Sequence, residues 1–169
     1  MDVTVIGCGY VGLVTATCLA SVGHSVRGVE KDARKLKTLQ DGHCPIFEPG
    51  LQELMQENYA SGQLQFGDNV KAAVKDAEVV YLAVGPPPRP DGSVDMSFLE
   101  AAGKEVCDAL AEIEPEYMVT IVVKSTVPAG TNRRRSHAYL GTAEPARHCD
   151  TDSADRRTQH TQSSWTDRR

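Results

Sequence analysis

The chain has 169 residues, of which 40% are hydrophobic and 24% charged, and its formal net charge is −5 at pH 7. This length allows one domain with a core of its own and is too short for two full domains. The acidic balance gives no electrostatic reason to expect a nucleic-acid partner, and no apolar run reaches the roughly 20 residues that span a bilayer. The chain opens in a strand pattern without a basic leader, which predicts a cytoplasmic protein. The five cysteines include no Cys-x-x-Cys pair, so they predict neither a metal site nor a disulfide framework.

Short β-rich runs alternate with segments of helical spacing over the first 131 residues. Such alternation predicts βαβ units, a parallel sheet and right-handed crossovers. We therefore predict a Rossmann-type, doubly wound α/β domain over residues 1–131. Residues 44–50 are predicted as a loop because they include two prolines and a glycine. Strands are predicted at residues 3–6, 24–30, 64–66, 78–84 and 117–123, and helices at residues 10–22, 32–40, 51–59, 70–75 and 97–113.

The composition changes after residue 131. Between residues 133 and 169 the only Val, Ile, Leu, Met or Phe is Leu140, while Arg, Asp, Ser, Thr, His and Gln dominate. So few apolar residues cannot offset the entropy of ordering the backbone, and we predict that residues 132–169 form a disordered tail on a truncated sheet. A natural tail, a basic interaction tail and an out-of-frame translation product all fit this composition. The arginine-rich texture favours the last.

A Gly-x-Gly-x-x-Gly pattern follows the first predicted strand and opens the first predicted helix; it consists of Gly7, Gly9 and Gly12. In such a turn the first glycine allows a tight bend, the second lets a pyrophosphate approach the backbone, and the third lets the helix pack closely on the strand. The exposed N–H groups and the positive end of the helix dipole then attract the anionic pyrophosphate. The turn and its context predict a dinucleotide cofactor.

An acidic residue, Glu30, ends the second predicted strand. A carboxylate at this position accepts hydrogen bonds from the adenosine ribose hydroxyls and repels a 2′-phosphate, which predicts NAD rather than NADP. Three cations follow it, namely Lys31, Arg34 and Lys35. They weaken this preference, since basic residues bind the extra phosphate in NADP sites. A solvated helix face is the alternative interpretation of Lys31 and Arg34.

Four segments, in order, resemble the UDP-glucose/GDP-mannose dehydrogenase family. They are residues 5–14, 41–51, 83–95 and 124–131, the last with the sequence Lys-Ser-Thr-Val-Pro-Ala-Gly-Thr. The resemblance covers residues 1–131 and implies an NAD-binding domain of an enzyme that oxidises the C6 alcohol of a nucleotide-linked hexose to a carboxylate. Such enzymes use two NAD and pass through a thioester on a cysteine. We favour UDP-glucose as the substrate of the parent enzyme, with GDP-mannose and other UDP-sugars left open.

The resemblance also implies roles for individual residues. Tyr10 and Val11 would contact the pyrophosphate through their backbones, and Glu30 and Lys35 would hold the adenosine end. Thr126 would lie near the nicotinamide, where its hydroxyl would contact the cofactor or an active-site water.

Two departures from the family pattern bear on activity. Pro86 stands where the family usually has threonine, so this cofactor-facing loop lacks a hydroxyl and an N–H donor. The loss of about one hydrogen bond is expected to weaken NAD binding by about 1 kcal/mol. None of the five cysteines stands in the motif of the thioester-forming cysteine, so we predict that the chain has no catalytic nucleophile. It would bind NAD without turnover, and a nucleotide sugar would bind only to a full-length relative. The sequence does not predict the oligomeric state.

Two other hypotheses stay open. In the first hypothesis, the chain is a non-catalytic module that binds NAD or a partner, and the arginines at residues 133–135 bind anions weakly. Alternatively, it would be a fragment of another Rossmann enzyme, such as a hydroxyacid or 3-hydroxyacyl-CoA dehydrogenase, which shares the glycine pattern. The Glu-Pro-Gly-Leu loop and the Lys-Ser-Thr-Val-Pro segment count against this second alternative.

Overall fold

Five parallel strands and five helices make up the computed structural model, which describes residues 1–85, 89 and 94–125. In chain order the elements are β1 (Asp2–Ile6), α1 (Tyr10–Ser21), β2 (Ser25–Val29), α2 (Ala33–Gln40), α3 (Leu51–Ala60), β3 (Leu64–Gly67), α4 (Val70–Val74), β4 (Val79–Leu82), α5 (Ser97–Ile113) and β5 (Thr120–Val123). The strands pair in the order β3-β2-β1-β4-β5.

Strand β1 lies at the centre of the sheet. Its Val3 pairs with Val26 of β2 on one side and with Val79 of β4 on the other. The chain therefore builds outward from β1 to β3, returns across the sheet, and continues outward from β4. This reversal opens a crevice beyond the carboxyl ends of β1 and β4, the usual ligand position in open parallel sheets.

Side chains of β1 alternate between two cores. Val3 and Val5 belong to the core that also holds Leu13 of α1 and Met55 of α3. Ile6 belongs to the opposite core, which includes residues of α4 and α5. Thr4 also points to α4, because its hydroxyl donates a 2.7 Å hydrogen bond to the carbonyl of Ala73. Both faces of the sheet are thus covered by helices, as parallel sheets require, and the predicted doubly wound Rossmann fold is confirmed.

The last two strands are shorter than predicted. Strand β5 begins at Thr120 rather than residue 117, because its partner β4 begins at Val79, which pairs with Thr120. Tyr117 and Met118 precede the ladder and are exposed. Strand β4 ends at Leu82, which lies opposite the last residue of β1. The prediction from β-rich composition made both strands too long, because the neighbouring strands do not continue the pairing at these ends.

The longest helix, α5, covers residues 97–113, as the sequence predicts. The predicted tail and the predicted boundary at residue 131 lie outside the described residues. Within the described ranges, no helix combines the length and apolar character needed to cross a membrane.

Candidate functional site at the carboxyl edge

The glycine turn connects the carboxyl end of β1 to α1. Gly7 has φ +94°, a conformation that residues with a Cβ rarely adopt, and its N–H donates a 2.8 Å hydrogen bond to the carbonyl of Val29 in β2. On its other side, a Cβ on Gly7 would lie 3.2 Å from the backbone of Ala83, just after β4. The turn is therefore held between the ends of both neighbouring strands.

The other two glycines of the turn have contrasting surroundings. A Cβ on Gly12 would lie 1.8 Å from the carbonyl oxygen of Gly7, so helix α1 can approach the turn only because this residue is glycine. A Cβ on Gly9 would meet no described atom within 4 Å. The space beside Gly9 is thus open to a ligand that approaches the backbone closely.

The amino end of α1 faces this space. Tyr10 and Val11 are exposed, and as first-turn residues their N–H groups have no acceptor within the helix. No side chain in the part of the chain that the structure describes caps this end, and the first turn contains no acidic residue. The positive end of the helix dipole and its free donors therefore fit an anionic group such as a pyrophosphate.

A buried carboxylate lies at the end of the neighbouring strand. Glu30 follows β2 directly, and its backbone N–H donates a 2.9 Å hydrogen bond to Gly67. Its side chain is only 11% exposed and forms a 2.7 Å ion pair with Lys35 through Oε2. Its Oε1 accepts a 3.1 Å hydrogen bond from the backbone N–H of Asp32. The structure thus brings Glu30 and Lys35 together beside the glycine turn.

Asp32 holds this arrangement at the start of α2. Its Oδ1 accepts hydrogen bonds from the backbone N–H groups of Arg34 at 2.9 Å and Lys35 at 3.1 Å, the usual geometry of a helix N-cap. The hydrogen bonds from Lys35 and Arg34, assisted by the charges of these two side chains, lower the pKa of the Asp32 carboxyl. Sequence reasoning placed the helix start here but missed the capping role, which an aspartate before the first helical turn signals.

Cys8 lies buried inside the turn. Its Sγ is 3.7 Å from the carbonyl oxygen of Val29, and a Cβ on Gly28 would lie 2.9 Å from this sulfur. Burial raises the pKa of the Cys8 thiol to about 12; the charge of Glu30 also raises it and that of Lys35 lowers it. The thiol is therefore protonated at neutral pH and unsuited to act as a nucleophile.

A loop over residues 41–50 is tied to the same turn. The hydroxyl of Tyr10 donates a hydrogen bond to Oε2 of Glu48 in this loop, and this bond and the charge of Glu48 raise the pKa of Tyr10. Gln52 anchors the loop from α3, donating to Gly42 at 2.8 Å and accepting from Cys44 N–H at 2.7 Å. Sequence reasoning predicted the loop but not this contact, since residue spacing carries no signal for a pair 38 positions apart.

The exits of β4 and β5 complete the described part of this edge. The hydroxyl of Ser125 donates a hydrogen bond to the carbonyl of Val84, and Lys124 N–H donates to Leu82 at 2.9 Å. Thr126, predicted near the nicotinamide, and Pro86, predicted in a loop that faces the cofactor, lie outside the described residues. The described residues at this edge are therefore those predicted to contact the pyrophosphate and the adenosine.

Two other features are not part of this site. A groove of about 600 Å³ lies at the opposite, amino edge of the sheet and is lined by Met1, Asp2, Asp76, Glu78, Val79, Tyr117, Met118 and Thr120. It has neither the glycine turn nor a helix amino end. Among the described residues, no group of three or more His, Cys, Asp or Glu side chains could hold a metal ion.

A parallel sheet of this strand order, with a glycine-rich first turn and an acidic residue after the second strand, defines a Rossmann-type dinucleotide-binding domain. A sequence model described as "UDP-glucose/GDP-mannose dehydrogenase family, NAD binding domain" matches residues 1–152. The chain belongs to this family, and its cofactor is NAD.

Individual relatives agree with this assignment. The UDP-glucose 6-dehydrogenase of Rhizobium meliloti is 47% identical over 132 residues, which are 78% of this chain and 29% of that enzyme. The GDP-mannose dehydrogenase of Pseudomonas aeruginosa, crystallised as a ternary complex, superposes with a TM-score of 0.77 at 34% identity, over 83% of this chain and 33% of that one. A UDP-glucose dehydrogenase from Pyrobaculum islandicum gives a TM-score of 0.76 at 36% identity, over 84% and 33% of the two chains. The chain spans about a third or less of the length of these relatives.

Proposed function

We propose that this chain binds NAD at the carboxyl edge of its sheet and serves as the cofactor-binding part of a UDP-glucose 6-dehydrogenase. In this proposal the pyrophosphate lies against Gly7, Gly9 and Gly12 and accepts hydrogen bonds from the backbone N–H groups of Tyr10 and Val11. The observation that carries the proposal is the uncapped, positively polarised end of α1 beside a space that only a glycine at position 9 leaves open.

Glu30 and Lys35 take the adenosine end. The Glu30 carboxylate is bonded to Lys35 and to the backbone of Asp32, and each carboxylate oxygen has capacity for a second donor. The ribose hydroxyls would use this capacity. Thr126 would border the nicotinamide end and donate its hydroxyl to the cofactor or a water, and Pro86 would lie in a loop that faces the cofactor.

Bound NAD supplies the hydride acceptor for oxidation of an alcohol carbon. The proposed reaction of the parent enzyme is the NAD-dependent oxidation of UDP-glucose at C6 to UDP-glucuronate, a cytoplasmic step of polysaccharide biosynthesis. The relative at 47% identity supports UDP-glucose, while the GDP-mannose dehydrogenase with a TM-score of 0.77 makes GDP-mannose the second candidate. Cys8 stays protonated, and none of the five cysteines stands in the nucleophile's motif, so the chain on its own binds NAD without turnover.

The proposal is tested by calorimetric titration of NAD into the purified chain, followed by addition of UDP-glucose while absorbance at 340 nm is recorded. Saturable NAD binding with no rise in absorbance supports it. Absence of binding contradicts the proposed cofactor role of this chain. NADH formation would mean that the chain oxidises UDP-glucose on its own, which contradicts the proposed absence of turnover.

A further inference from the structure

We propose that Glu48 is a positioning residue for the cofactor. By accepting the hydrogen bond of the Tyr10 hydroxyl, it holds the ring of Tyr10 away from the space beside Gly9 and keeps that space open for the pyrophosphate. The inference rests on the proposed function, which places the pyrophosphate of NAD in this space. It assigns a part in cofactor binding to the loop of residues 41–50, to which the proposed function gives none.

The first observation is that the fold restrains the Tyr10 ring very little. Tyr10 follows Gly9 directly and is the first residue of α1, so no preceding helical turn restricts its side-chain rotamers. It is 55% exposed and belongs to neither core of the sheet. Its hydroxyl donates to Glu48 Oε2, and within the described ranges this is the one hydrogen bond of that side chain. Without it, rotation about the Cα–Cβ bond would carry the ring across the amino end of α1.

The second observation is the open space that a released ring would enter. A Cβ on Gly9 would meet no described atom within 4 Å. The N–H groups of Tyr10 and Val11, next to this space, have no acceptor within the helix. A tyrosine ring in this space would separate the pyrophosphate from these donors, and its displacement would weaken binding. A ring that is already held aside adds no such cost when the ligand binds.

The third observation is that the loop is a firm support for Glu48. On the amino-terminal side, Gln52 of α3 accepts a 2.7 Å hydrogen bond from the N–H of Cys44. The partly buried Ile46 packs against one core of the sheet. On the carboxyl side, the carbonyl of Glu48 itself accepts a 3.1 Å hydrogen bond from the N–H of Leu51. The backbone that carries the Glu48 carboxylate is therefore fixed on both sides.

The test measures NAD affinity by calorimetry for the wild-type chain and for E48A, E48Q and Y10F. E48A and E48Q both remove the charge, but only E48Q keeps an acceptor oxygen, so their difference isolates the hydrogen bond from the charge. We expect E48A to bind NAD about three- to tenfold more weakly than E48Q, and Y10F to bind it more weakly than the wild type by the same factor. F47A, which truncates the 94% exposed neighbour of Glu48, should leave the affinity unchanged.

Removal of the ring separates this role from a merely structural one. In Y10A/E48A no ring remains to obstruct the space, so we expect this double variant to bind NAD as tightly as E48Q does. Y10A alone should bind NAD as tightly as the wild type. A loop that had shifted or collapsed in E48A would not be restored by a second truncation. Adenosine, which has no phosphate, should bind equally to E48A and to the wild type.

The outcomes separate this inference from the proposed function. If the wild-type chain binds no NAD, both fail. If it binds NAD, but E48A matches E48Q and Y10F matches the wild type, only this inference is overturned. A Y10A/E48A variant that binds as weakly as E48A also overturns it, because obstruction by the ring would then not be the cause of the loss. Thermal melts of each variant confirm that it is folded.

Discussion

A Cβ atom on Gly12 would lie 1.8 Å from the carbonyl oxygen of Gly7, a distance that no pair of non-bonded atoms tolerates. Gly12 therefore maintains the contact between the glycine turn and helix α1. Gly9, three residues earlier, has no described neighbour within 4 Å of the position where its Cβ would be. One turn thus contains a glycine required for packing and another whose side-chain space remains open.

The variant Gly12→Ala should be destabilised, because the added methyl group forces the helix away from the turn. Overpacking of this kind costs about 1–3 kcal/mol, and the short distance to backbone places this variant at the upper end. Thermal unfolding followed by circular dichroism would show a lowered Tm together with weaker NAD binding. A melting temperature equal to that of the wild type would contradict the packing role.

The variant Gly9→Ala should fold normally and bind NAD poorly. Its backbone angles, φ −68° and ψ −172°, are accessible to alanine, and the added methyl group meets no described atom within 4 Å. The methyl group would instead occupy the space assigned to the pyrophosphate. We expect an unchanged Tm and an NAD affinity about tenfold lower or worse, measured by calorimetry. Unchanged affinity would mean that the pyrophosphate does not approach this residue.

Cys8 should make stability dependent on pH in the alkaline range. Its pKa is raised from the ordinary 9.0 to about 12 in the folded chain, so above pH 9 the unfolded chain releases a proton that the folded chain retains. The stabilisation from Cys8 is complete below pH 9 and is lost as the pH rises toward 12, by about 1.4 kcal/mol per pH unit at most.

The measurement is urea unfolding of the wild type and of Cys8→Ala between pH 7 and pH 10.5. The difference between their free energies of unfolding should be constant up to about pH 9 and should then shrink, since Cys8→Ala has no thiol to titrate. Other groups that titrate in this range affect both proteins and cancel. A difference that stays constant throughout would contradict the burial of Cys8 as a neutral thiol.

The hydrogen bond between Tyr10 and Glu48 should be visible in the titration of Tyr10. The bond and the negative charge of Glu48 raise the pKa of the Tyr10 hydroxyl. Glu48→Gln keeps an acceptor oxygen but removes the charge, so the pKa of Tyr10 should fall toward its ordinary value. NMR of ¹³C-labelled tyrosine resolves Tyr10 from the others, and Tyr59, which lies elsewhere and stacks on Phe66, serves as an internal control. An unchanged Tyr10 pKa would mean that the loop is not bound to the turn in solution.

Much of the fold could be predicted because local patterns carry it. The alternation of apolar strands and amphipathic helices fixed the doubly wound sheet, and α5 was predicted residue for residue. The glycine turn was also readable, since each glycine has a steric reason that the sequence alone implies. Contacts between distant segments could not be predicted from the sequence. Neither the Tyr10–Glu48 hydrogen bond nor the packing of Cys8 against Gly28 produces a periodic pattern of residues. The ends of β4 and β5 depend on where their neighbours stop, which composition cannot show.

The central claim, that NAD binds at the glycine turn, is tested most directly by NMR titration of the ¹⁵N-labelled chain with NAD. We expect saturable shifts of the amide signals of Gly9, Tyr10 and Val11, whose N–H groups lie where the pyrophosphate would bind, and of Glu30, whose carboxylate would accept hydrogen bonds from the adenosine ribose. The amides of Asp2 and Tyr117, at the groove on the amino edge of the sheet, should not move. Absence of shifts at the turn, or shifts confined to the amino edge, would contradict the claim.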